Sequence, residues 1–224
     1  MSPKPLTIVI ESGTGVSALW DAPKGARAAL VLAHGAGAGM AHKSMTAIAD
    51  GLATRGIATL RFNFPYMERG SKRVDPPAIA HAAILAAAVE ATRLAPKLPL
   101  FAGGKSFGGR MTSQAQALEP LPNVRGLIFF GFPLHPAGKP GVDRADHLAG
   151  VRLPMLFLQG SNDALAELPL LKKVVNGLGR RATLSVLDHA DHSFHVPAKS
   201  GRTDVQVMDS LLDTARDWIV KHAA

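Results

Sequence analysis

A serine between two glycines, placed directly after a short apolar strand, is the strongest constraint on how this 224-residue chain folds. The run reads Leu-Pro-Leu-Phe-Ala-Gly-Gly-Lys-Ser-Phe-Gly-Gly-Arg over residues 98–110, and a helix-forming stretch follows. A sharp strand-to-helix turn of this kind exposes the hydroxyl oxygen of Ser106 and places it beside the backbone amides at the start of the helix. The glycines at 104 and 108 let neighbouring backbone pass close by. The alternative is an ordinary turn whose serine caps the helix.

The composition is that of an ordinary globular protein, with 47% hydrophobic and 19% charged residues. The chain has no cysteine, which excludes disulfides, a thiol nucleophile and thiolate metal sites. Residues 1–11 lack the apolar core of a secretory signal, and the apolar stretch 78–91 is short and contains His81 and Glu90. We therefore predict a cytoplasmic protein without membrane contact, forming a single domain over residues 1–224.

The net charge of +8 raises the question of nucleic-acid binding. The basic residues are spread along the chain, however, and aromatic residues make up 5%, which leaves few stacking platforms. We expect no nucleic-acid partner and a small-molecule substrate instead, with a mild preference for anions. The sequence leaves the oligomeric state open.

Strand-like and helical patterns alternate along the whole chain, with glycine or proline at most junctions. Predicted strands cover residues 6–10, 16–20, 28–33, 57–62, 98–103, 126–130, 154–159 and 182–187. Predicted helices cover residues 41–54, 78–94, 107–118, 166–176 and 203–222. This order predicts an α/β fold: a mostly parallel, doubly wound sheet of about eight strands, antiparallel at its start, with helices on both faces. The irregular segment 133–152 is too short for a large lid, so we expect an open, shallow site.

Three residues match the requirements of a serine nucleophile, which needs a base and a group that orients the base. Ser106 follows the strand 98–103, Asp163 follows 154–159, and His192 follows 182–187. Carboxyl ends of parallel strands meet at one edge of a sheet, where such folds place their sites. We predict that Ser106 is the nucleophile, Asp163 the acid and His192 the base.

Stabilisation of a tetrahedral intermediate requires amide donors directed at the developing oxyanion. One donor is expected from Phe107, which follows the serine, and the other from the glycine-rich loop after the strand 28–33. Within that loop Ala36 is the first choice and Gly37 the next.

Other readings of these segments stay open. Asp188 and Asp191 are rival acids, and His189 and His195 are rival bases. The spacing of these histidines suggests a metal site, but no H-E-x-x-H pattern accompanies it, and we predict neither metal nor cofactor. The Gly-Lys-Ser at 104–106 lacks the glycine at position 99 that a phosphate-binding loop requires.

Several residues flank the predicted cleft and are candidate substrate contacts. Each also has a structural reading, as a loop brace, an ion pair or a solvated side chain. They are His34, Gly37, Arg61, Asn63, Lys105 and His135.

Four motifs together resemble the α/β-hydrolase superfamily over essentially the whole chain. They are His34-Gly-x-Gly, Gly104-x-Ser-x-Gly, Gly160-x-x-Asp and Asp191-His-Ser-Phe. The runs Arg-Phe-Asn-Phe-Pro-Tyr at 61–66 and Gly-Phe-Pro-Leu-His-Pro at 131–136 resemble its lidless, dienelactone-hydrolase-like branch, which includes testis-expressed hydrolase-like proteins. The resemblance implies the same catalytic residues as above and the same pair of oxyanion amides.

The function expected is a serine hydrolase that cleaves small acyl esters or thioesters. Two alternatives remain: a peptidase or amidase of the same fold, and a scaffold protein that kept the fold but lost turnover.

Overall fold

The computed structural model describes residues 2–223, and these contain one eight-stranded sheet. The strands are β1 (Lys4–Val9), β2 (Gly15–Asp21), β3 (Ala28–Ala33), β4 (Ile57–Phe62), β5 (Leu100–Lys105), β6 (Val124–Phe130), β7 (Met155–Gly160) and β8 (Ala182–Leu187). Their spatial order is β1-β2-β4-β3-β5-β6-β7-β8. Strand β2 runs antiparallel to both β1 and β4, and every other pairing is parallel. The mostly parallel sheet with an antiparallel start is confirmed.

Within residues 2–223 six α-helices cover the sheet: α1 (Lys43–Ala53), α2 (Pro65–Glu68), α3 (Pro77–Leu94), α4 (Phe107–Leu118), α5 (Leu168–Leu178) and α6 (Asp204–His222). The apolar residues of α1 and α6 share one core layer with one face of the sheet, and those of α3, α4 and α5 share the layer on the other face. Strands β3, β4 and β7 are buried along their whole length because both of their faces are covered.

Short helical segments interrupt the connections. Three 3₁₀ helices span Asp143–Gly150, Gly179–Arg181 and Ala198–Ser200. The first lies in the connection from β6 to β7, and within the described residues no larger insertion stands over the carboxyl edge of the sheet. The expectation of a fold without a large lid is therefore confirmed.

Helix α3 is long and apolar enough to cross a membrane by length and composition. In this structure its alanines at positions 80, 83, 87 and 88 are fully buried in the core layer shared with α4. Val89, on its other side, is 53% exposed. The helix therefore has one side in the core and one partly apolar outer side.

Candidate active site

The turn after β5 holds Ser106 in a strained conformation. Its φ of 52° and ψ of −117° lie outside the regions that non-glycine residues usually occupy. A β-carbon at Gly104 or Gly108 would overlap the carbonyl oxygen of Ala33 on β3. Glycine at both positions therefore lets β3 approach closely, and the turn presents the serine oxygen at the carboxyl edge of the sheet.

The residues predicted as nucleophile, base and acid come together at this edge. Ser106 Oγ lies 2.8 Å from His192 Nε2, and His192 Nδ1 lies 2.7 Å from Asp163 Oδ2. The Asp163 carboxylate only accepts, so Nδ1 carries the hydrogen and Nε2 is left to accept the serine proton. The Asp163 side chain is fully buried, whereas that of His192 is 23% exposed. This arrangement can deprotonate the serine while solvent and small molecules reach the imidazole.

The acid has two further partners that fix its orientation. Asp163 Oδ1 accepts from the amide of Leu165 at 2.8 Å, and Oδ2 also accepts from Nε2 of Gln159. The Gln159 side-chain oxygen accepts in turn from the amide of Phe132 at 2.8 Å, in the turn after β6. Gln159 is a buried polar residue at the end of an apolar strand. A single polar residue in an apolar strand is visible in the sequence, and Gln159 could have been predicted as a site residue from it.

The segment that holds the base is a closed loop built around Asp191. Its Oδ1 accepts from the amides of Ser193 and His195, at 2.7 and 3.0 Å. Asp191 is thus committed to its own loop, and Asp188, the other rival acid, is exposed. Of the three candidate acids, Asp163 is the one bonded to the His192 ring.

The rival bases lie apart from the serine. His195 Nδ1 is 2.8 Å from Asp204 Oδ2 at the start of α6, which raises the pKa of His195. His189 is exposed and has a φ of 62°. Among residues 2–223 no three histidine or carboxylate side chains are grouped to hold a metal ion.

Two backbone amides predicted as oxyanion donors lie free beside the serine. A β-carbon at Gly35 would lie 3.8 Å from Ser106 Cβ, so the loop after β3 runs directly past the nucleophile. Within the described part of the chain, neither the amide of Ala36 nor that of Phe107 donates a hydrogen bond. The amide of Gly37, by contrast, donates to the hydroxyl of Tyr66 at 2.9 Å. Ala36 and Phe107 therefore have the free donors that an oxyanion requires, and Gly37 does not.

Arg61 and Asn63 brace the loop after β3. Arg61 donates to the carbonyl of Met40 at 3.2 Å and to Thr46 Oγ1 at 3.0 Å, and Asn63 Oδ1 accepts from the amide of Met40 at 2.8 Å. The Arg61 side chain is buried. Both residues hold the far end of this loop, which we call the predicted oxyanion loop, and their hydrogen bonds are made to protein groups.

The two candidate histidines outside the base loop are also occupied by protein partners. The His34 ring lies 2.7 Å from the carbonyl oxygen of Gly35 and accepts from the amide of Phe64 at 3.1 Å, and burial lowers its pKa. The His135 ring lies 2.9 Å from the carbonyl oxygen of Pro136 and accepts from the amide of Glu167 at 3.1 Å. Each ring bridges two segments of backbone, so neither has a free nitrogen for a substrate.

Sequence reasoning missed how Lys105 and Tyr66 act at the site. Lys105 donates to the main-chain oxygen of His192 at 2.8 Å, and Tyr66 accepts from the predicted oxyanion loop. Tyr66 is positioned through its own amide, which donates to Asp75 Oδ2 at 2.8 Å. Both contacts involve main-chain atoms of distant loops, which leave no residue-type pattern in the sequence.

A mostly parallel sheet with a strained serine after β5, and with the acid and the histidine after β7 and β8, defines the class of α/β hydrolases. A family model described as an alpha/beta hydrolase domain matches residues 26–220, and the chain belongs to this family.

Solved structures share the fold at low sequence identity. A serine hydrolase without a lid from Xanthomonas campestris is 22% identical with a TM-score of 0.75, covering 97% of this chain and 95% of its own. A dienelactone hydrolase from Anabaena variabilis is 18% identical with a TM-score of 0.77 over 100% of both chains. Est1E from Butyrivibrio proteoclasticus, bound to ferulic acid, is 16% identical with a TM-score of 0.73, over 97% of this chain and 98% of that one. At these identities the similarity concerns the fold alone.

Proposed function

We propose that the protein is a serine hydrolase that cleaves small acyl esters or thioesters through an acyl-enzyme on Ser106. The observation that carries the proposal is the continuous chain of hydrogen bonds from Ser106 Oγ through the His192 ring to Asp163. The free amides of Ala36 and Phe107 supply the second requirement, stabilisation of negative charge.

The proposed reaction has two symmetrical halves. His192 Nε2 takes the hydroxyl proton as Ser106 Oγ attacks the acyl carbon, and the Ala36 and Phe107 amides bind the resulting oxyanion. The protonated His192 then gives its proton to the leaving alcohol or thiol, and the acyl group remains on the serine. Water, deprotonated by the same imidazole, attacks the acyl-enzyme, and His192 returns that proton to Ser106 Oγ as the acid is released. The buried Asp163 stabilises the imidazolium in both halves.

The exposure of the site supports small substrates. Ala36 and Gly37 are exposed, Ser106 is partly exposed, and the connection from β6 to β7 holds only one short 3₁₀ helix. An apolar tunnel for a long acyl chain requires walls that enclose most of the ligand surface. We therefore expect activity to be highest with short acyl groups that reach the serine end-on.

A substrate panel tests the proposal directly. The purified protein is assayed with p-nitrophenyl esters from acetate to palmitate, with acyl thioesters and with peptide anilides, and Ser106→Ala is the matched control. We expect turnover of short esters or thioesters that falls to the background rate in Ser106→Ala. Preference for the anilides would favour the amidase alternative, a maximum at palmitate would contradict the short-acyl expectation, and the absence of any Ser106-dependent turnover would favour a scaffold.

A further inference from the structure

Lys105 links the strand that carries the nucleophile to the loop that carries the base. Its Nζ donates to the main-chain oxygen of His192 at 2.8 Å. The same ammonium lies 4.9 Å from the centre of the Phe194 ring, within the range of a cation–π contact. One side chain thus holds both ends of the segment 192–194, and it comes from the residue that precedes Ser106.

Among the hydrogen bonds of residues 2–223, no other one joins the main chain of the segment 188–196 to β5, the strand that leads to Ser106. Asp191 closes the loop on itself, and Ser161 and Asn162, after β7, hold its start through His189 and Ala190. These contacts set the shape of the loop and tie it to β7. The bond from Lys105 is the one that ties the His192 backbone to β5, next to the nucleophile.

The charge on Lys105 responds to pH in the mildly alkaline range. Burial lowers its pKa to about 8, and the carboxylates of Asp163 and Asp191 oppose this effect in part. These carboxylates face it from the loops after β7 and β8. On the neighbouring strands, the residue paired with Lys105 on β6 is Phe130, and β3 leads into His34, whose ring is turned to Phe64. A charged donor makes a hydrogen bond roughly twice as strong as a neutral one, so the link weakens when Lys105 loses its proton.

We propose that Lys105 is a positioning residue that holds His192 in reach of Ser106 by clamping the main-chain oxygen of the base. The inference rests on the proposed function. A shift of about 1 Å in a reacting group can cost about 10²-fold in rate, so this clamp affects turnover more than substrate binding.

The test compares Lys105→Met, which keeps the length and apolar stem, with Lys105→Arg, which keeps a charged donor. The matched control is Lys199→Met, on an exposed 3₁₀ turn. For Lys105→Met we expect kcat to fall about 10- to 100-fold with KM within about twofold of wild type. We expect the kcat of Lys105→Arg to lie between those of Lys105→Met and wild type, and the kcat of Lys199→Met to equal that of wild type.

The pH profile separates positioning from a merely structural role. Wild-type kcat should decline on the alkaline side with a midpoint near the lysine pKa of about 8. This decline should be absent in Lys105→Met and, since arginine keeps its proton, absent in Lys105→Arg as well. The profile of the arginine variant decides the question if the methionine variant fails to fold.

Two different failures remain distinguishable. The inference is overturned if the kcat of Lys105→Met equals that of wild type, or if the decline of kcat near pH 8 persists in Lys105→Arg. Neither result contradicts the proposed hydrolase function. Absence of turnover in wild type, or turnover unchanged in Ser106→Ala, removes the proposed function and this inference with it.

Discussion

Among single residues, Asp163 is decisive because its two carboxylate oxygens have different partners. Oδ1 is held by the Leu165 amide, which leaves Oδ2 directed at the His192 ring, and the Gln159 amide approaches the same oxygen. The carboxylate selects the tautomer in which Nε2 accepts the serine proton. In the proposed mechanism this carboxylate orients the imidazole and stabilises its positive charge.

Asp163→Asn should therefore lower kcat by about 10⁴-fold while the fold persists, because an amide facing Nδ1 favours the wrong imidazole tautomer. Steady-state kinetics on the best ester of the panel measures the effect. Asp188→Asn is the matched control, since Asp188 is exposed near the same loop and was a rival acid. An equal loss in the control, or a change of less than about tenfold in Asp163→Asn, would remove Asp163 from the mechanism.

The sequence allowed us to predict that Ser106, Asp163 and His192 lie together, because each follows a strand and parallel strands end at a common edge. The supporting contacts could not be predicted. Each of the four residues predicted to flank the cleft bonds at least one main-chain group of a distant segment; they are His34, Arg61, Asn63 and His135. Main-chain partners carry no residue identity, so sequence reasoning cannot distinguish these braces from substrate contacts.

At the scale of elements, the short helix α2 supports the predicted oxyanion loop from outside. The buried Tyr66 of this helix holds the Gly37 amide, and Asn63, just before it, holds that of Met40. The bond from Gly37 to Tyr66 holds the residue next to Ala36 in place, and the amide of Ala36 itself remains free. The helix begins with Pro65 and spans Pro65–Glu68, too short for a periodic pattern, and the sequence did not predict it.

Tyr66→Phe removes the acceptor of the Gly37 amide and keeps the ring in its place. Loss of a partner for an exposed amide costs about 1 kcal/mol, so we expect kcat to fall about fivefold with KM and the melting temperature little changed. Kinetics on a short ester and a thermal melt of the same preparation measure both quantities. Full wild-type kcat in this variant would show that α2 does not support the predicted oxyanion loop.

Helix starts show why boundaries are less predictable than elements. The pattern predicted a helix from residue 166, but α5 begins at Leu168. The preceding residues form a turn in which the amide of Ala166 donates to the Asp163 carbonyl at 3.1 Å and that of Leu165 donates to the Asp163 carboxylate. Similarly, α1 begins at Lys43 rather than 41 because the His42 side chain caps it, accepting from the Ser44 amide at 3.2 Å. Tertiary and capping contacts of this kind override the apolar spacing.

At the scale of the whole molecule, the order of the sheet brings the ends of β3, β5, β7 and β8 to one edge. Alternation of strands and helices predicted the doubly wound sheet, since continuous apolar runs indicate strands covered on both faces. It could not predict that β4 lies between β2 and β3. That order depends on which strand edges pair across the sheet, and residue periodicity does not encode it.

Three histidines whose pKa is lowered in the folded protein should make the whole molecule sensitive to mild acid. His147 donates to Ser113 Oγ at 2.7 Å, and burial, with smaller contributions from Arg110 and His81, lowers its pKa from 6.5 to about 4. Burial also lowers the pKa of His34 and of His81. Between pH 6.5 and about pH 4, His147 is protonated in the unfolded chain but largely neutral in the folded one. The unfolded chain therefore binds more protons, and the free energy of unfolding falls as the pH drops through this range.

His147→Gln keeps a donor for Ser113 and removes the titration. After allowance for the partial exposure of His147, we expect wild type to lose about 1–2 kcal/mol more unfolding free energy than the variant over this window. Urea denaturation at a series of pH values measures the difference. Parallel pH dependence in the two proteins would contradict a His147 that stays neutral in the folded protein.

Every step of the proposed reaction depends on chemical activation of the Ser106 alcohol. Incubation of the native protein with a fluorophosphonate, followed by intact-mass and peptide mass spectrometry, measures this activation. We expect a single adduct on the peptide containing Ser106, formed at a rate that falls in Asp163→Asn and absent in Ser106→Ala and in the denatured protein. An unmodified native protein, or an adduct on another residue, would contradict it.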